Sequence, residues 1–131
     1  MCELMEYSLP VFSYNLNDIF KNKGKLRLET KARVSVGFSS LDDNIGIVRI
    51  IICTQNVKDD PTIVYEMHIM GKFNLKTENK ITDDEKSKIL KEKGVPKLYS
   101  ILEATFAKVQ EVTKTKLPSM PTYKEIIDSR E

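Results

Sequence analysis

LRLETKARVSVGF, residues 26–38, alternates strictly: Leu26, Leu28, Thr30, Ala32, Val34, Val36 and Phe38 take one side of an extended chain. Lys25, Arg27, Glu29, Lys31, Arg33 and Ser35 take the other. Successive side chains of a strand point to opposite faces, so a period of two predicts a long strand with one face buried. Leu41-Asp42-Asp43-Asn44 then supplies turn residues, and Ile45–Gln55 follows as a β-branched run in which both faces are largely apolar, Arg49 excepted. A run apolar on both faces predicts a central strand. After the turn Asp59-Asp60-Pro61, Ile63, Tyr65, Met67, Ile69 and Phe73 alternate with Val64, Glu66, His68, Met70 and Lys72, a third strand. Short turns between these strands predict an antiparallel meander.

Upstream, Tyr7, Leu9, Val11, Phe12, Tyr14, Leu16, Ile19 and Phe20 form an aromatic-rich extended segment interrupted by Pro10. This suits an edge strand, where proline forfeits no ladder bond. Lys21-Asn22-Lys23-Gly24-Lys25 reads as a loop. Downstream, Thr82-Asp83-Asp84-Glu85 is a capping-box pattern opening a charged helix whose Ile89 and Leu90 would bury little, with Gly94 and Pro96 as stop signals. From Pro96, Leu98, Ile101, Leu102, Thr105, Val109 and Val112 recur at helical spacing, with Tyr99 and Phe106 beside them. This amphipathic helix is expected to end near Lys114 and Lys116, and Pro121 to Ile127 is expected to form a short final helix. Strands gathered first and helices last predict an α+β fold: a four-stranded antiparallel sheet followed by a long amphipathic helix and short flanking helices. One helix covers one sheet face. The central strand, with Val48, Ile50 and Ile52 opposed to Ile47, Ile51 and Cys53, therefore predicts self-association over the other.

The chain of 131 residues has the length of a single domain, 1–131, since domains commonly hold roughly 100–150 residues. With 21 Lys and Arg against 19 Asp and Glu, the net charge of +2 lacks the basic excess of a phosphate-backbone binder, so no nucleic-acid partner is expected. The stripe of Lys25, Arg27, Lys31 and Arg33 with Tyr7, Phe12 and Tyr14 could contact RNA, but Glu29 interrupts it and a solvated face explains it better. The longest apolar run, Ile50-Ile51-Ile52-Cys53, is far below the ~20 residues that span a bilayer, and Glu3 and Glu6 are unlike a signal peptide's basic start. A soluble, cytoplasmic protein without membrane insertion is expected.

Gly71-Lys72-Phe73 at the end of the last strand is similar to the GIF string of the SecB family of export chaperones. Val95-Pro96-Lys97-Leu98-Tyr99-Ser100-Ile101-Leu102-Glu103 resembles that family's proline-led helical segment, although Ser100, Ile101 and Glu103 replace its frequent proline, tyrosine and arginine. Leu117-Pro118-Ser119-Met120-Pro121, with Tyr123 following, resembles its later leucine-proline section. The resemblance spans about residues 7–127 and rests on the order and spacing of these strings. It implies four strands followed by helices, a dimer-of-dimers assembly (a tetramer), and an unfolded-protein-binding chaperone in protein transport or attached to a toxin–antitoxin system. The basic strand face differs from the acidic sheet of members that serve the export ATPase SecA.

His68 has no nucleophile beside it in sequence and shares a strand face with Glu66 and Met70, so a structural or surface role is expected. Cys53, on the most apolar strand, reads as an inert small hydrophobe. With one histidine and no CxxC, zinc is not expected; Asp42-Asp43 and Asp59-Asp60 lack an EF-hand's ligand spacing and read as turns. Gly71 stands outside any phosphate-loop pattern and reads as a bulge or strand end. Phe12, Tyr14, Phe20, Phe73, Tyr99, Leu102, Phe106 and Met120 have two readings, ordinary core and interface or a groove for unfolded segments. Because Tyr99 and Phe106 flank the helix stripe, some of this set is expected on an accessible apolar surface. Together these features point to an ATP-independent holdase: not an enzyme, without cofactor or metal, a homo-oligomer, partnered by non-native polypeptides and by an antitoxin or export component. The alternative is a small apolar-ligand-binding α+β protein or simple enzyme, with Glu66 and His68 as its polar machinery.

Overall fold

The computed structural model describes residues 2–14, 28–42, 44–56, 62–75, 81–113, 120 and 124. Four strands, β1 (Glu3–Tyr14), β2 (Leu28–Phe38), β3 (Ile45–Asn56) and β4 (Thr62–Asn74), precede the helices α1 (Asp83–Ile89) and α2 (Val95–Thr113), which a π-helical turn, Leu90–Gly94, joins. The sheet is antiparallel throughout in the order β1-β4-β3-β2. The architecture is α+β, as the sequence predicts. β2, β3 and β4 form the expected meander, whereas β1 lies beside β4 at the far edge.

Local chemistry explains several boundaries. Pro10 falls where β1 and β4 shift register, between the pairs Ser8–Met70 and Val11–His68. A bulge on an edge strand tolerates the missing N–H. The turn before β3 is an Asx turn: the Asn44 N–H donates to Asp42 Oδ1 (2.9 Å) and the Ile45 N–H to the Asp42 carbonyl (3.1 Å). The Leu75 N–H then donates to the Asn44 carbonyl (2.7 Å), tying the end of β4 to this hairpin. Thr82 caps α1, accepting from the Glu85 N–H at 3.2 Å. Residues Phe20, Lys21–Lys25, Asp59-Asp60-Pro61, Lys114 and Lys116 lie outside the described residues, as does the final helix expected over 121–127 apart from Lys124, which is helical.

Burial on the sheet follows the predicted parity except at the start of β4, where a register shift opposite Thr54 and Gln55 exposes Ile63 and buries Val64, the reverse of the expected alternation. Val48, Ile50, Ile52, Met67, Ile69 and Phe73 are buried toward the helices, while Glu29, Lys31, Arg33 and Ser35 are exposed on the other face. Helix α2 presents Val95, Leu98, Tyr99, Leu102 and Phe106 to the sheet, all buried. The expectation that Tyr99 and Phe106 flank the stripe is thus corrected. Residues 95, 98, 99, 102 and 106 are themselves spaced at i, i+3, i+4, i+7 and i+11, and burying the two rings removes more apolar surface from water than burying Ile101 and Val112 would. Ile101 and Val109 are half-buried and Val112 is exposed, which leaves a lesser apolar stripe along one flank.

Gly94 and Pro96 do not stop the helix. The Val95 N–H donates to the carbonyl of Leu90, five residues back, and the widened turn carries the chain past Pro96, whose ring would otherwise press on a carbonyl four residues earlier. Nor does Leu90 bury little. It is fully buried and seated over Gly46, as Leu98 is seated over Gly71. Gly71 is therefore neither a bulge nor a strand end; it lies within β4, paired with Tyr7 and Val48, and its missing side chain makes room for the helix. Among the described residues, no helix is long and apolar enough to cross a membrane.

A Cβ at Gly71 would lie 2.8 Å from Leu98 Cδ1. Gly71→Ala should cost about 1–3 kcal/mol by overpacking, and Leu98→Ala about 2–5 kcal/mol by leaving a cavity. In urea titrations the double variant should lose less than the sum of the two, because each change relieves the other. A Cβ at Gly94 meets its neighbours at ordinary distances of 3.4–3.5 Å. Gly94→Ala should accordingly keep stability or raise it by about 0.5–1 kcal/mol.

Candidate functional site

Four strands about 4.8 Å apart make a sheet roughly 15–20 Å wide, and a helix with its side chains is only about 10 Å across. Helix α2 lies over β3 and β4, so the apolar residues of the outer strands are only partly covered. Leu4, Leu9 and Phe12 of β1 line one side of the helix; Ala32, Val34, Val36 and Phe38 of β2 line the other, all half-buried and packed against the core. Met120 packs on the same core, also half-buried. Tyr7 and Met5 of β1 are exposed to 54% each, a substantial apolar rim beside the first strip.

The groove candidates divide between core and rim. Phe73, Tyr99, Leu102 and Phe106 are buried between sheet and helix, Phe106 with its ring centroid 5.1 Å from that of Tyr65. The Tyr65 hydroxyl is held above its usual pKa by burial, opposed by a hydrogen bond with Thr54, which in turn bonds Thr30 at 2.7 Å. Phe12 and Met120 sit at the margin of this cluster. Tyr14 pairs in register with Tyr65 at the end of β1, and Phe20 lies outside the described residues. The structure therefore brings Phe73, Tyr99, Leu102 and Phe106 together in the buried core and leaves Phe12 and Met120 half-buried at its margin.

The opposite sheet face carries the polar candidates. His68 Nε2 lies 2.8 Å from Glu66 Oε1. Cross-strand register puts Ile51 beside His68 and Cys53 beside Glu66, with Arg33 and Lys31 next on β2. These six residues, with Thr30, Ala32 and Gln55, border a shallow, open depression of about 580 Å³. Lys72 Nζ pairs with Glu6 Oε1 at 3.1 Å farther along this face. Sequence alternation finds the face, but the approach of Lys31 and Arg33 to Glu66 and His68 depends on strand register, which alternation does not reveal.

Cys53 is half-exposed here, not enclosed in the core as its apolar strand suggested, because its side chain points away from α2. Burial raises its thiol pKa first, and the neighbouring Glu66 carboxylate raises it further. The thiol is protonated near neutral pH and is a poor nucleophile. Although Cys53, Glu66 and His68 share one depression, no three His, Cys, Asp or Glu side chains among the described residues come together as a metal-binding set.

No family profile and no curated protein matches the chain. Among solved structures, it is similar to the Mycobacterium tuberculosis Rv1957 SecB-like chaperone, solved in complex with a ChAD peptide from the Rv1956 HigA1 antitoxin. The TM-score is 0.59 at 13% sequence identity, covering 92% of this chain and 93% of the other. A Streptococcus agalactiae protein of unknown function matches at a TM-score of 0.36 and 11% identity, covering 94% of this chain and 98% of that one, too distant to carry an argument. The fold is SecB-like.

The carboxylate effect on Cys53 is testable in a Cys2→Ser background, which leaves one thiol. Glu66→Gln removes the charge that disfavours the thiolate, so the pH profile of iodoacetamide alkylation should move to lower pH. An unmoved profile would show that burial alone governs the thiol.

Proposed function

We propose that this protein is an ATP-independent holdase, which binds non-native polypeptide along the apolar strips beside α2 and keeps it from aggregating, with no cofactor and no covalent chemistry. The observation that carries this reading is the incomplete cover of the sheet: half-buried Leu4, Leu9 and Phe12 and exposed Tyr7 leave apolar surface in an extended line. An unfolded segment is extended and apolar at intervals, and such a line suits it. Support comes from the fold shared over more than nine-tenths of both chains with a SecB-like chaperone solved with a peptide. The client is an antitoxin segment or an export precursor, and the site of action is the cytoplasm. Phe12 and Met120 contact the client; Phe73, Tyr99, Leu102 and Phe106 support them from below. Holding acts by mass action, since a bound unfolded chain is withdrawn from aggregation.

The alternative, a ligand binder or simple enzyme, draws on the Glu66–His68 pair in its depression. The adjacent thiol is protonated, and the depression is open to water, which weakens electrostatic help to any reaction there.

Self-association belongs to the same proposal. Ile47, Ile51 and Met70 are only half-buried on the open sheet face, and the Ile101, Val109 and Val112 flank of α2 offers a second apolar contact. A dimer or dimer of dimers covers these surfaces. Sedimentation equilibrium should find such an assembly at micromolar concentration, and a stable monomer there would overturn it.

Phe106 is too deeply packed for a clean test, because a charge placed against Tyr65 would unfold the chain. Phe12→Asp is the better probe. With circular dichroism and assembly unchanged, it should weaken suppression of a client's aggregation by about tenfold, the loss expected when one aromatic contact worth roughly 1–2 kcal/mol is removed. Wild-type protein that neither suppresses aggregation nor binds a reduced, unfolded test protein at micromolar concentration would remove the holdase reading and favour the ligand binder.

A further inference from the structure

Strand β2 is a sheet edge eleven residues long, and among the described residues no strand pairs with its outer side. Such an edge offers unpaired backbone N–H and C=O groups to any extended chain. Its two faces are chemically opposite. Toward the helix it shows half-buried Ala32, Val34, Val36 and Phe38. Toward the open face it shows Lys31 and Arg33, both exposed and without an ion-pair partner among the described residues.

The open face also has room along this edge. The depression bordered by Lys31 and Arg33 is followed by a smaller one of about 200 Å³ bordered by Ser35, Gly37, Ile47 and Arg49. Three cationic side chains thus line two adjoining hollows. Glu66, two strands from Lys31, is engaged by His68 at 2.8 Å, and Glu29 stands on the same face of β2 two residues before Lys31. Among the described residues, Arg49 donates to the Met70 sulfur, at 3.7 Å.

We propose that the outer edge of β2 takes an extended segment in which apolar and acidic side chains alternate, adding it to the sheet as a fifth strand. Its apolar side chains lie beside Ala32, Val34 and Val36. Its acidic side chains fall opposite Lys31 and Arg33, within the roughly 5 Å that separates cross-strand neighbours. A second copy of β2 is a poor occupant: pairing residues 28–38 with themselves in antiparallel register is centred on residue 33 and sets Arg33 against Arg33. Arg33, which opposes that pairing, and its neighbour Lys31 attract an acidic strand. This docking uses the β2 edge and does not rest on the holdase reading.

The test uses a synthetic peptide of alternating valine and glutamate, the same peptide N-methylated at alternate backbone nitrogens, and a valine–lysine counterpart. Fluorescence anisotropy should show wild-type protein binding the first peptide, more weakly as salt rises, and amide hydrogen exchange should slow within residues 28–38. The N-methylated peptide should not bind, because it cannot complete the ladder; this arm needs no protein variant. Lys31→Glu combined with Arg33→Glu, with circular dichroism unchanged, should bind the valine–glutamate peptide about tenfold less tightly and gain affinity for the valine–lysine peptide. Absence of binding to wild-type protein, equal binding of the N-methylated peptide, or no exchange of preference in the double variant would each overturn the proposal. Retained aggregation suppression by that variant would show that the edge and the holding strips are separate surfaces.

Discussion

Everything on the helical side of this molecule depends on two leucine side chains finding two places where the sheet has none. Leu90 occupies the space above Gly46, and Leu98 the space above Gly71. With a methyl group at either glycine, the leucine ends would have to move, since a Cβ there would come within 2.6–2.8 Å of them. The close approach lets Val48, Ile50, Phe73 and Leu75 share one dry core with Val95, Tyr99 and Leu102. It also decides the helix orientation, and with it which aromatic rings are enclosed and which strips of sheet stay partly uncovered.

From that seating the division of surfaces follows by dimension alone. A single helix close over β3 and β4 leaves the outer strands half covered, and the far face of the sheet has no helix among the described residues. The apolar strips, the basic edge and the shallow hollows are thus products of one packing decision. Their chemistries differ because the strands alternate: the same β2 shows valines to one side and cations to the other.

Much of this was legible in the sequence. The alternation over 28–38 predicts both the exposure of Lys31 and Arg33 and the inward set of Ala32, Val34 and Val36; Pro10 marks β1 as an edge, and Thr82 marks the start of α1. Pairing of β1 with β4 was not legible, because side-chain parity says which face a residue takes but not which strand lies beside it. The burial of Tyr99 and Phe106 was hidden for a related reason. Two stripes overlap on α2, both containing Leu98 and Leu102, and the choice between them is made by how the aromatic rings fit the sheet. Of the groove candidates, the sequence could name the aromatic and aliphatic set but could not divide it into buried core and half-buried margin. Cys53 illustrates the remaining difficulty: an apolar strand with one covered face has residues of the same hydrophobicity in different surroundings.

The π-helical turn also has an arithmetic consequence. Leu90 and Leu98 are eight residues apart, which in a regular helix would leave them about 80° out of phase. The turn takes up one residue without advancing the helix, so the effective separation is seven residues, close to two turns, and both leucines reach the sheet. A chain one residue shorter between 90 and 94 would keep both seats with an unbroken α-helix, but Pro96 would then press on the carbonyl four residues behind it. The supernumerary residue and the proline are a matched pair: each is tolerable because the other is present.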